Sequence, residues 1–347
     1  MENLSKRNSS IEVLRILSML LVLIVHANFK ALSMPTSEDL YLAPFESFMR
    51  FFCESISIVC VNVFVLISGW FGIHPKRERI IEFIFQVFFI ISIIDLFFLF
   101  TDNTTISSLS GKQYIQYFFH DNYWFVGAYL ILYLLSPTLN LFVQQTNKQH
   151  LLLFLLFFFT LQTIYGYIFP HSWYAKGYSP LSFIGLYTLA RYVRTYSNSI
   201  TKLNKYLDIS IFFISSLVIT LIAIIFVIKE IGDPWKLFFY SSPLVIIESL
   251  YLLLFFTKMS FNNKGINWIA TSCFSAYLFH CHPLFLDNIY IRHIKLNFYE
   301  KDTLLFILDT TTWILTIFAF SIIIDKIRII TWKSCIFIKN YIMKIIQ

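Results

Sequence analysis

Residues 11–29 read IEVLRILSMLLVLIVHANF and decide the fold class of this chain. The run is long enough for a helix to cross a hydrocarbon core of roughly 30 Å, yet it carries two basic side chains, Arg15 and His26. At about 100° per residue the two lie on one helix face, about 16 Å apart along the axis. Ionisable groups at membrane depth are costly, so this polar stripe predicts a functional face directed toward the protein interior.

The composition extends the membrane assignment to the whole chain. Of the 347 residues, 57% are hydrophobic and only 14% are charged. A soluble domain carries a much larger charged fraction, and we expect a lipid bilayer, not a nucleic acid, as the surrounding partner. The five cysteines are scattered without a Cys-x-x-Cys pair, so we predict neither a disulfide framework nor a metal site.

Apolar runs of membrane-spanning length recur along the sequence and predict an all-α polytopic protein, a bundle of about ten transmembrane helices. The predicted spans are residues 11–29, 48–72, 80–100, 123–143, 151–169, 180–196, 209–228, 238–257, 268–287 and 303–324. Pro137, Pro180 and Pro283 fall in or at the edge of the fourth, sixth and ninth runs. Neighbouring helices can satisfy the backbone groups that a proline frees, so we retain all three runs as spans.

The distribution of Lys and Arg predicts the orientation, because these residues concentrate in cytoplasmic loops. With the N-terminus in the cytoplasm, 17 of them fall in inner segments and 8 in outer loops. We therefore predict that both termini are cytoplasmic. Residues 1–325 are expected to form one transmembrane domain. The tail, 326–347, mixes apolar and basic residues and is expected to lie on the inner leaflet as an amphipathic helix, in preference to an eleventh span.

The two basic groups of the first span have simpler interpretations when each is taken alone. Arg15 could extend to the inner headgroups, and His26 could be a buried histidine bonded to a carbonyl group. Their shared face favours a functional pair. Glu12, three residues before Arg15, is close enough on a helix to pair with the guanidinium and hold it in place.

The first two spans resemble signature segments of the membrane-bound acyltransferase 3 family. Arg15 and His26 are similar to the family's arginine, ten residues and histidine in the first span. NVFVLISGWFG, at 62–72, is similar to the family's apolar stretch running into Ser-Gly-aromatic, which Ser68 and Gly69 match. A basic cluster follows this stretch in the family, as it does here.

Two later segments extend the resemblance over most of the chain. YWFVGAYLILYLLSP, at 123–137, is similar to a Trp-Phe-Leu, Tyr-Leu and Pro pattern of the family, with Trp124 at the Trp position. SAYLFHCHP, at 275–283, resembles the late Tyr-Leu-x-His segment. This segment contains two histidines, and the spacing favours His280 over His282.

The resemblance implies an integral-membrane O-acyltransferase of the short, membrane-only form. Bacterial members of this family typically O-acylate cell-surface polysaccharides, so a bacterial cell membrane is the implied location. The implied donor substrate is acetyl-CoA or another acyl-CoA, with no permanently bound cofactor, and the acceptor is an exported or lipid-linked sugar. The chain departs from the family at Asn62, where members often have Asp.

The basic cluster after the second span has two interpretations. Lys76, Arg77 and Arg79 can simply anchor the inner side of the protein, as basic loops do in most membrane proteins. Acyl-CoA, however, carries a 3′-phosphate and a pyrophosphate, and arginine binds such groups bidentately. We therefore expect these three residues to bind the phosphates of the donor.

The chemistry of acyl transfer suggests a role for each of the other candidate residues. His26 is predicted to be the general base, because imidazole titrates near neutral pH and can accept the proton of a sugar hydroxyl. Arg15 is too distant on a straight helix to stabilise an oxyanion beside His26 and is expected to orient the donor. Ser68 is either a nucleophile or, as we favour, a small packing residue. Trp124 and His280 are supporting candidates, although an interfacial belt is the commoner role of a tryptophan such as Trp124.

Other charged residues of the spans have no predicted catalytic role. Arg50 and Glu54 are four residues apart and are expected to neutralise each other. Asp95, Glu248 and Asp309 are single carboxylates in apolar runs and are expected to face polar cavities.

A transporter or flippase of a glycan or lipid remains the alternative function, because it also needs many spans and buried charges. Deletion of a transporter would cause its substrate to accumulate inside the cell. Deletion of an acyltransferase would leave a normal amount of under-acylated polymer outside. A sensor or scaffold is disfavoured, because no predicted cytoplasmic segment is large enough to pass on a signal.

Overall fold

The computed structural model describes residues 8–101, 123–196 and 198–346, and within these ranges it is helical with no β-strand. The chain divides into two compact units. The first unit comprises the described residues of Met1–His74 and Trp124–Asn267, and the second those of Pro75–Tyr123 and Trp268–Gln347.

The described ranges contain sixteen α-helices, several of them extended by short turns of other helical types. In chain order they are α1 (Ser9–Val25), α2 (Ser37–Leu42), α3 (Pro44–Ser57), α4 (Cys60–Phe71), α5 (Arg77–Thr101), α6 (Trp124–Gln145), α7 (Lys148–Gln162), α8 (Pro180–Tyr196), α9 (Asn198–Thr201), α10 (Lys205–Lys229), α11 (Pro243–Thr257), α12 (Lys264–Ala270), α13 (Phe274–His280), α14 (Pro283–Phe285), α15 (Arg292–Glu300) and α16 (Thr303–Ile346). The π-helical segments are His26–Lys30, Thr163–Ile168 and Leu286–Ile291, and the 3₁₀ segments are Ala175–Gly177 and Pro234–Phe238.

Eight helical segments among the described residues are long and apolar enough to cross a membrane. They are Ser9–Lys30, Pro44–Phe71, Arg77–Thr101, Trp124–Gln145, Lys148–Ile168, Lys205–Lys229, Pro234–Thr257 and Thr303–Ile338. The predicted class, an all-helical protein with many membrane spans, is confirmed. The predicted number of ten is not, because two of the predicted spans differ in the structure.

The sixth and ninth predicted spans are the two that differ. The sixth is α8, a helix of 17 residues that begins at Pro180, and it is shorter than the eight spanning segments. The ninth, 268–287, is divided among α12, α13 and α14. Pro283 supplies no amide hydrogen and its ring excludes a preceding helical turn, so α13 ends at His280 and a new short helix begins after His282.

The first helix is fixed at its beginning by side-chain contacts. The side chain of Asn8 accepts a hydrogen bond from the amide of Ser10, as a helix N-cap does. The amide of Ser9 donates to the carbonyl of Phe261 at 2.9 Å, and its hydroxyl donates to Asn267 Oδ1 at 2.8 Å. These contacts hold the start of α1 against the segment between α11 and α12.

Helices α1, α3 and α4 define the two ends of the first unit. The chain reverses after α1, and α3 returns antiparallel to it, because Asn28 donates to the carbonyl of Arg50 at 2.8 Å. Helix α4 continues in the direction of α3 and packs against α1 and α8. We call the end where α1 begins and α4 finishes the Ser9 end, and the opposite one the His26 end.

Gly69 allows a close contact between α4 and α8 in the first unit. A Cβ atom at this position would lie 2.4 Å from the carbonyl oxygen of Tyr187 and 2.9 Å from its Cα, both backbone atoms of α8. Backbone atoms in a packed helix cannot move aside, so the absence of a side chain allows α4 and α8 to approach. Gly69 of the second span therefore has a packing function.

Replacing Gly69 with Ala is expected to reduce the yield of folded protein, because overpacking typically costs about 1–3 kcal/mol. Fluorescence-detected size-exclusion chromatography after mild heating measures this loss. Gly265→Ala is the matched control, since a Cβ there would meet only the flexible side chain of Asn263, at 3.2 Å. Equal thermal stability of Gly69→Ala and the wild type would contradict the packing function.

The second unit contains a buried charged cluster between α5 and α16. Arg328 is only 3% exposed and donates to Asp325 from Nε at 3.0 Å and to Glu82 from Nη1 at 3.0 Å. Gln86 donates to the same Asp325 carboxylate at 2.8 Å. Helix α16 runs without a break past residue 325, so the predicted tail begins as its continuation. The location of this tail on the inner leaflet stays a prediction.

Candidate active site

The candidate site residues are distributed over the two units. Glu12, Arg15, His26, Ser68 and Trp124 belong to the first unit, and Lys76, Arg77, Arg79 and His280 belong to the second. The first unit therefore holds both basic side chains of the opening span.

Arg15 and His26 are both half-buried along α1. The guanidinium Nη1 of Arg15 lies 3.2 Å from Oε1 and 3.4 Å from Oε2 of Glu12, which is the contact predicted from their spacing. Glu12 itself is 5% exposed, so its carboxylate has a partner suited to its burial. The pair fixes the Arg15 side chain on the helix surface.

His26 is the first residue of the π-helical segment His26–Lys30. Such a segment inserts one extra residue into a helical turn, and π-bulges occur frequently at functional sites. The extra residue changes the direction of the side chains that follow His26. It brings Asn28 and Phe29 to buried positions facing α3.

A polar network joins this segment to α3. Glu54, 3% exposed, accepts hydrogen bonds from Asn28 Nδ2 at 2.9 Å and from the amide of Phe29 at 3.4 Å. Arg50 donates from Nε to Asn28 Oδ1 at 3.4 Å and from Nη2 to the carbonyl of Leu32 at 3.2 Å. The sequence predicts that Arg50 and Glu54 neutralise each other, and the structure shows that the charge of Arg50 acts on Glu54 while both side chains also bind Asn28. This network fixes the backbone next to His26.

Ser68 forms two hydrogen bonds that bear on its chemistry. Its Oγ donates to the carbonyl of Phe64 at 3.0 Å and lies 3.2 Å from the hydroxyl of Tyr129. A hydroxyl has one proton, so Tyr129 is the donor to Ser68. Among the described residues no histidine or carboxylate bonds to Ser68, and an activated serine needs such a base. The positive charge of Arg15 acts on Tyr129, which links this pair electrostatically to α1.

The indole of Trp124 lies in an aromatic cluster of the first unit. Its ring centroid is 4.5 Å from that of Tyr178, 5.8 Å from Phe183 and 5.9 Å from Tyr240. Packing of this kind stabilises rings beyond their burial alone. In the structure Trp124 thus packs against other aromatic rings of the protein, whereas the sequence suggests a position in an interfacial belt.

Asn62 supports the segment that contains Tyr240. Its Nδ2 donates to the backbone carbonyl of Tyr240 at 2.9 Å, and the residue is buried. An ionised carboxylate at this position could only accept hydrogen bonds. The bond therefore gives a physical reason for Asn, in place of Asp, at position 62.

The basic cluster Lys76, Arg77 and Arg79 is exposed at the start of α5. Positive side chains are unfavourable near a helix N-terminus, where the backbone dipole is positive. Stability of α5 therefore does not explain the cluster. Donor binding by these residues stays a prediction.

His280 and His282 are both fully buried in the second unit. His280 Nδ1 lies 2.5 Å from the carbonyl of Ala276, which assigns the proton to Nδ1. His282 Nδ1 accepts from the amide of Leu284 at 3.3 Å, which assigns its proton to Nε2, and Nε2 lies 3.3 Å from Asp95 Oδ1. A partner for Asp95 could not be predicted from local spacing, because this contact depends on packing between distant segments.

The other two single carboxylates also have partners. Glu248 is fully buried and bonds to the hydroxyl of Ser216 on α10. Asp309 lies 2.9 Å from Lys301 Nζ and 2.8 Å from His293 Nε2. These polar partners offset the cost of placing the carboxyl groups of Glu248 and Asp309 in apolar helices.

Comparison with known proteins gives one match. A family model described as an acyltransferase domain matches residues 8–324, nearly the whole chain. None of the curated proteins and none of the solved structures compared with the chain matches it. The matched range includes all the candidate residues from Glu12 to His280.

Proposed function

We propose a defined reaction for this chain, which belongs to the acyltransferase 3 family. In this proposal it transfers an acyl group, most simply acetyl, from cytoplasmic acyl-CoA to a hydroxyl group of an exported or lipid-linked surface polysaccharide. Family membership supports acyltransferase activity in a membrane protein. The observation that carries the finer proposal is the presence of Arg15 and His26 on one helix that connects the two ends of the first unit.

His26 is the general base of the proposed reaction. Its neutral imidazole accepts the proton of the acceptor hydroxyl as that oxygen attacks the thioester carbonyl. A C–O bond forms, the C–S bond breaks, and the leaving CoA thiolate receives the proton from the imidazolium. The Asn28–Glu54–Arg50 network supports this role, because it fixes the backbone that carries His26.

Arg15 orients the donor from the other end of the helix. Its guanidinium is held by Glu12 yet remains half-exposed, so a ligand can still reach it. The separation of about 16 Å between Arg15 and His26 is comparable to the reach of the pantetheine arm of CoA. Donor phosphates near the Ser9 end would thus place the thioester near His26.

Direct transfer is favoured over an acyl-enzyme intermediate. The Ser68 hydroxyl donates its proton to the carbonyl of Phe64. Among the described residues, no histidine or carboxylate forms a hydrogen bond with this hydroxyl. In this scheme the Ser9 end and both termini face the cytoplasm, and the acceptor approaches from outside a bacterial cell membrane. Lys76, Arg77 and Arg79 contribute positive charge on the donor side.

Deleting the chain from its host is expected to leave the amount of exported polysaccharide unchanged and to remove its O-acyl groups. Proton NMR of the purified polymer measures the acyl signals, and their chemical shifts identify the acyl group. Mild alkaline treatment of wild-type polymer, which removes ester-linked acyl groups, supplies the reference spectrum. Intracellular accumulation of unexported polymer with intact acyl groups would instead indicate a transporter or flippase.

A further inference from the structure

Two arginines near the end of α8, Arg191 and Arg194, lie about one helical turn apart at the Ser9 end of the first unit. Arg191 is half-buried, and its Nε is fully buried without a hydrogen-bond partner in the part of the chain that the structure describes. Arg194 donates from Nη1 to the carbonyl of Trp70, and its guanidinium carbon lies 5.3 Å from the ring centroid of Phe71. Both guanidinium groups thus face the last turn of α4.

The charge of this arginine pair is not neutralised by any described carboxylate. The two guanidinium groups act on each other as like charges. Arg191 is half-buried and Arg194 is exposed. By contrast, the half-buried cations Arg15 and Lys258 are paired with Glu12 and Asp208. Two adjacent cations, one of them on a half-buried side chain, repel each other, and an anion bound to both would remove this repulsion.

The backbone beside Arg191, at Gly72 and Ile73, is held in a defined conformation by hydrogen bonds. Gly72 has a φ of +77°, and a Cβ atom there would lie 3.0 Å from Arg191 Nη1. The amide of Ile73 donates to the Tyr187 hydroxyl at 2.9 Å, and Asn140 donates to the carbonyl of Ile73 at 2.8 Å. Tyr187 in turn donates to Asn140 Oδ1 at 2.7 Å, which closes the network. The absence of a side chain at Gly72 thus leaves room for the Arg191 guanidinium beside the hydrogen-bonded backbone of Ile73.

Simple anchoring to lipid headgroups does not explain Arg191. An anchoring arginine extends its whole polar group to the headgroup region. Arg191 instead has its Nε enclosed by the protein and its Nη1 against Gly72. The pair also lies at the end of the unit where α1 begins, and Ser68, one turn before Gly72, bonds to Tyr129, on which Arg15 acts.

We infer that Arg191 and Arg194 form a subsite for a phosphate monoester, which, resting on the proposed function, is the 3′-phosphate of the acyl-CoA donor. A phosphate monoester carries close to two negative charges at neutral pH, matching two guanidinium groups. A phospholipid phosphodiester offers the same oxygen acceptors but only one charge. The subsite adds to the predicted contribution of Lys76, Arg77 and Arg79.

The test measures binding of CoA and of dephospho-CoA, which lacks only the 3′-phosphate, to the full-length protein in nanodiscs of phosphatidylcholine. Isothermal titration calorimetry gives Kd for the wild type, Arg191→Gln and Arg194→Gln. Each substitution is expected to weaken CoA binding about tenfold or more and to leave dephospho-CoA binding nearly unchanged, because charge-assisted bonds to one phosphate are lost. Lys148→Gln removes an exposed charge at the same end and is expected to bind both ligands as the wild type does.

Further measurements separate this inference from the proposed function. Arg191→Lys keeps the charge but not the guanidinium fork, and an intermediate loss of CoA binding supports the subsite even if Arg191→Gln does not fold. His26→Ala is expected to keep wild-type CoA affinity. A wild-type protein that binds neither ligand would overturn the donor assignment and the inference together.

Two outcomes would overturn the inference alone. One is wild-type discrimination between CoA and dephospho-CoA in both arginine variants. The other is unchanged CoA binding combined with a loss of phosphatidylglycerol enrichment around the variants in mixed-lipid nanodiscs, which would assign the pair to a lipid headgroup.

Discussion

The His26→Ala variant is expected to export a normal amount of polysaccharide that carries no detectable O-acyl groups. A general base contributes about 10²- to 10⁴-fold to a rate, and a hydroxyl group is a weak nucleophile without one. Proton NMR of the polymer measures the loss in cells. Acyl transfer from labelled acyl-CoA in isolated membranes measures it directly. This effect is among the largest we expect, because an imidazole is lost and alanine supplies no replacement base.

A matched control distinguishes lost chemistry from lost folding. His171 is exposed and belongs to the same unit, and within the described ranges its ring forms hydrogen bonds only with its neighbours Ser172 and Trp173. His171→Ala is therefore expected to retain acylation. Normal acylation in His26→Ala at equal protein level would show that His26 is not the base.

Replacing Arg15 with Ala is expected to lower kcat/KM for acyl-CoA by about 100-fold, mainly through a higher KM. The guanidinium is assigned to orienting the donor, and hydrogen bonds to charged groups are each worth about 1.5–3 kcal/mol. The substitution also removes the ion pair between Arg15 and the buried Glu12. Steady-state kinetics with membranes normalised for protein amount separates the KM effect from a loss of folded enzyme.

Two further variants make the Arg15 result specific. Glu12→Gln keeps the guanidinium and removes the charge that holds it, so its KM for acyl-CoA is expected to lie between those of the wild type and Arg15→Ala. Lys229→Ala removes an exposed cation at the end of α10 and is expected to behave as the wild type. An unchanged KM in Arg15→Ala would exclude donor orientation by this residue.

Much of the fold class was predictable because hydropathy reports it directly. Eight of the ten predicted runs correspond to helical segments able to span a membrane. Hydropathy does not distinguish a spanning run from one that packs inside the protein as shorter pieces. Pro180–Tyr196 and the helices around Pro283 are apolar because they are buried in a helix bundle, so their composition resembles that of a span.

The part of the site on α1 was predictable for a different reason. Helical geometry alone places Glu12 near Arg15, three residues away, and the structure shows this contact. Contacts between distant segments have no such local signal. Asn28 binding both Arg50 and Glu54 depends on the π-helical segment and on α3, and the approach of Arg191 to Gly72 depends on the packing of α4 against α8.

The π-helical segment at His26 means that the opening span does not have one uniform register. Before His26 the outward positions follow a period of about 3.6 residues, and after it the same counting is displaced by one residue. If this span were joined between His26 and Lys30, without a gap, to a span that lacks the π-helical turn, the side chains after the junction would be displaced relative to α3. Chimeras should therefore have their junction before His26 or after Lys30, so that the whole π-helical segment comes from one parent protein.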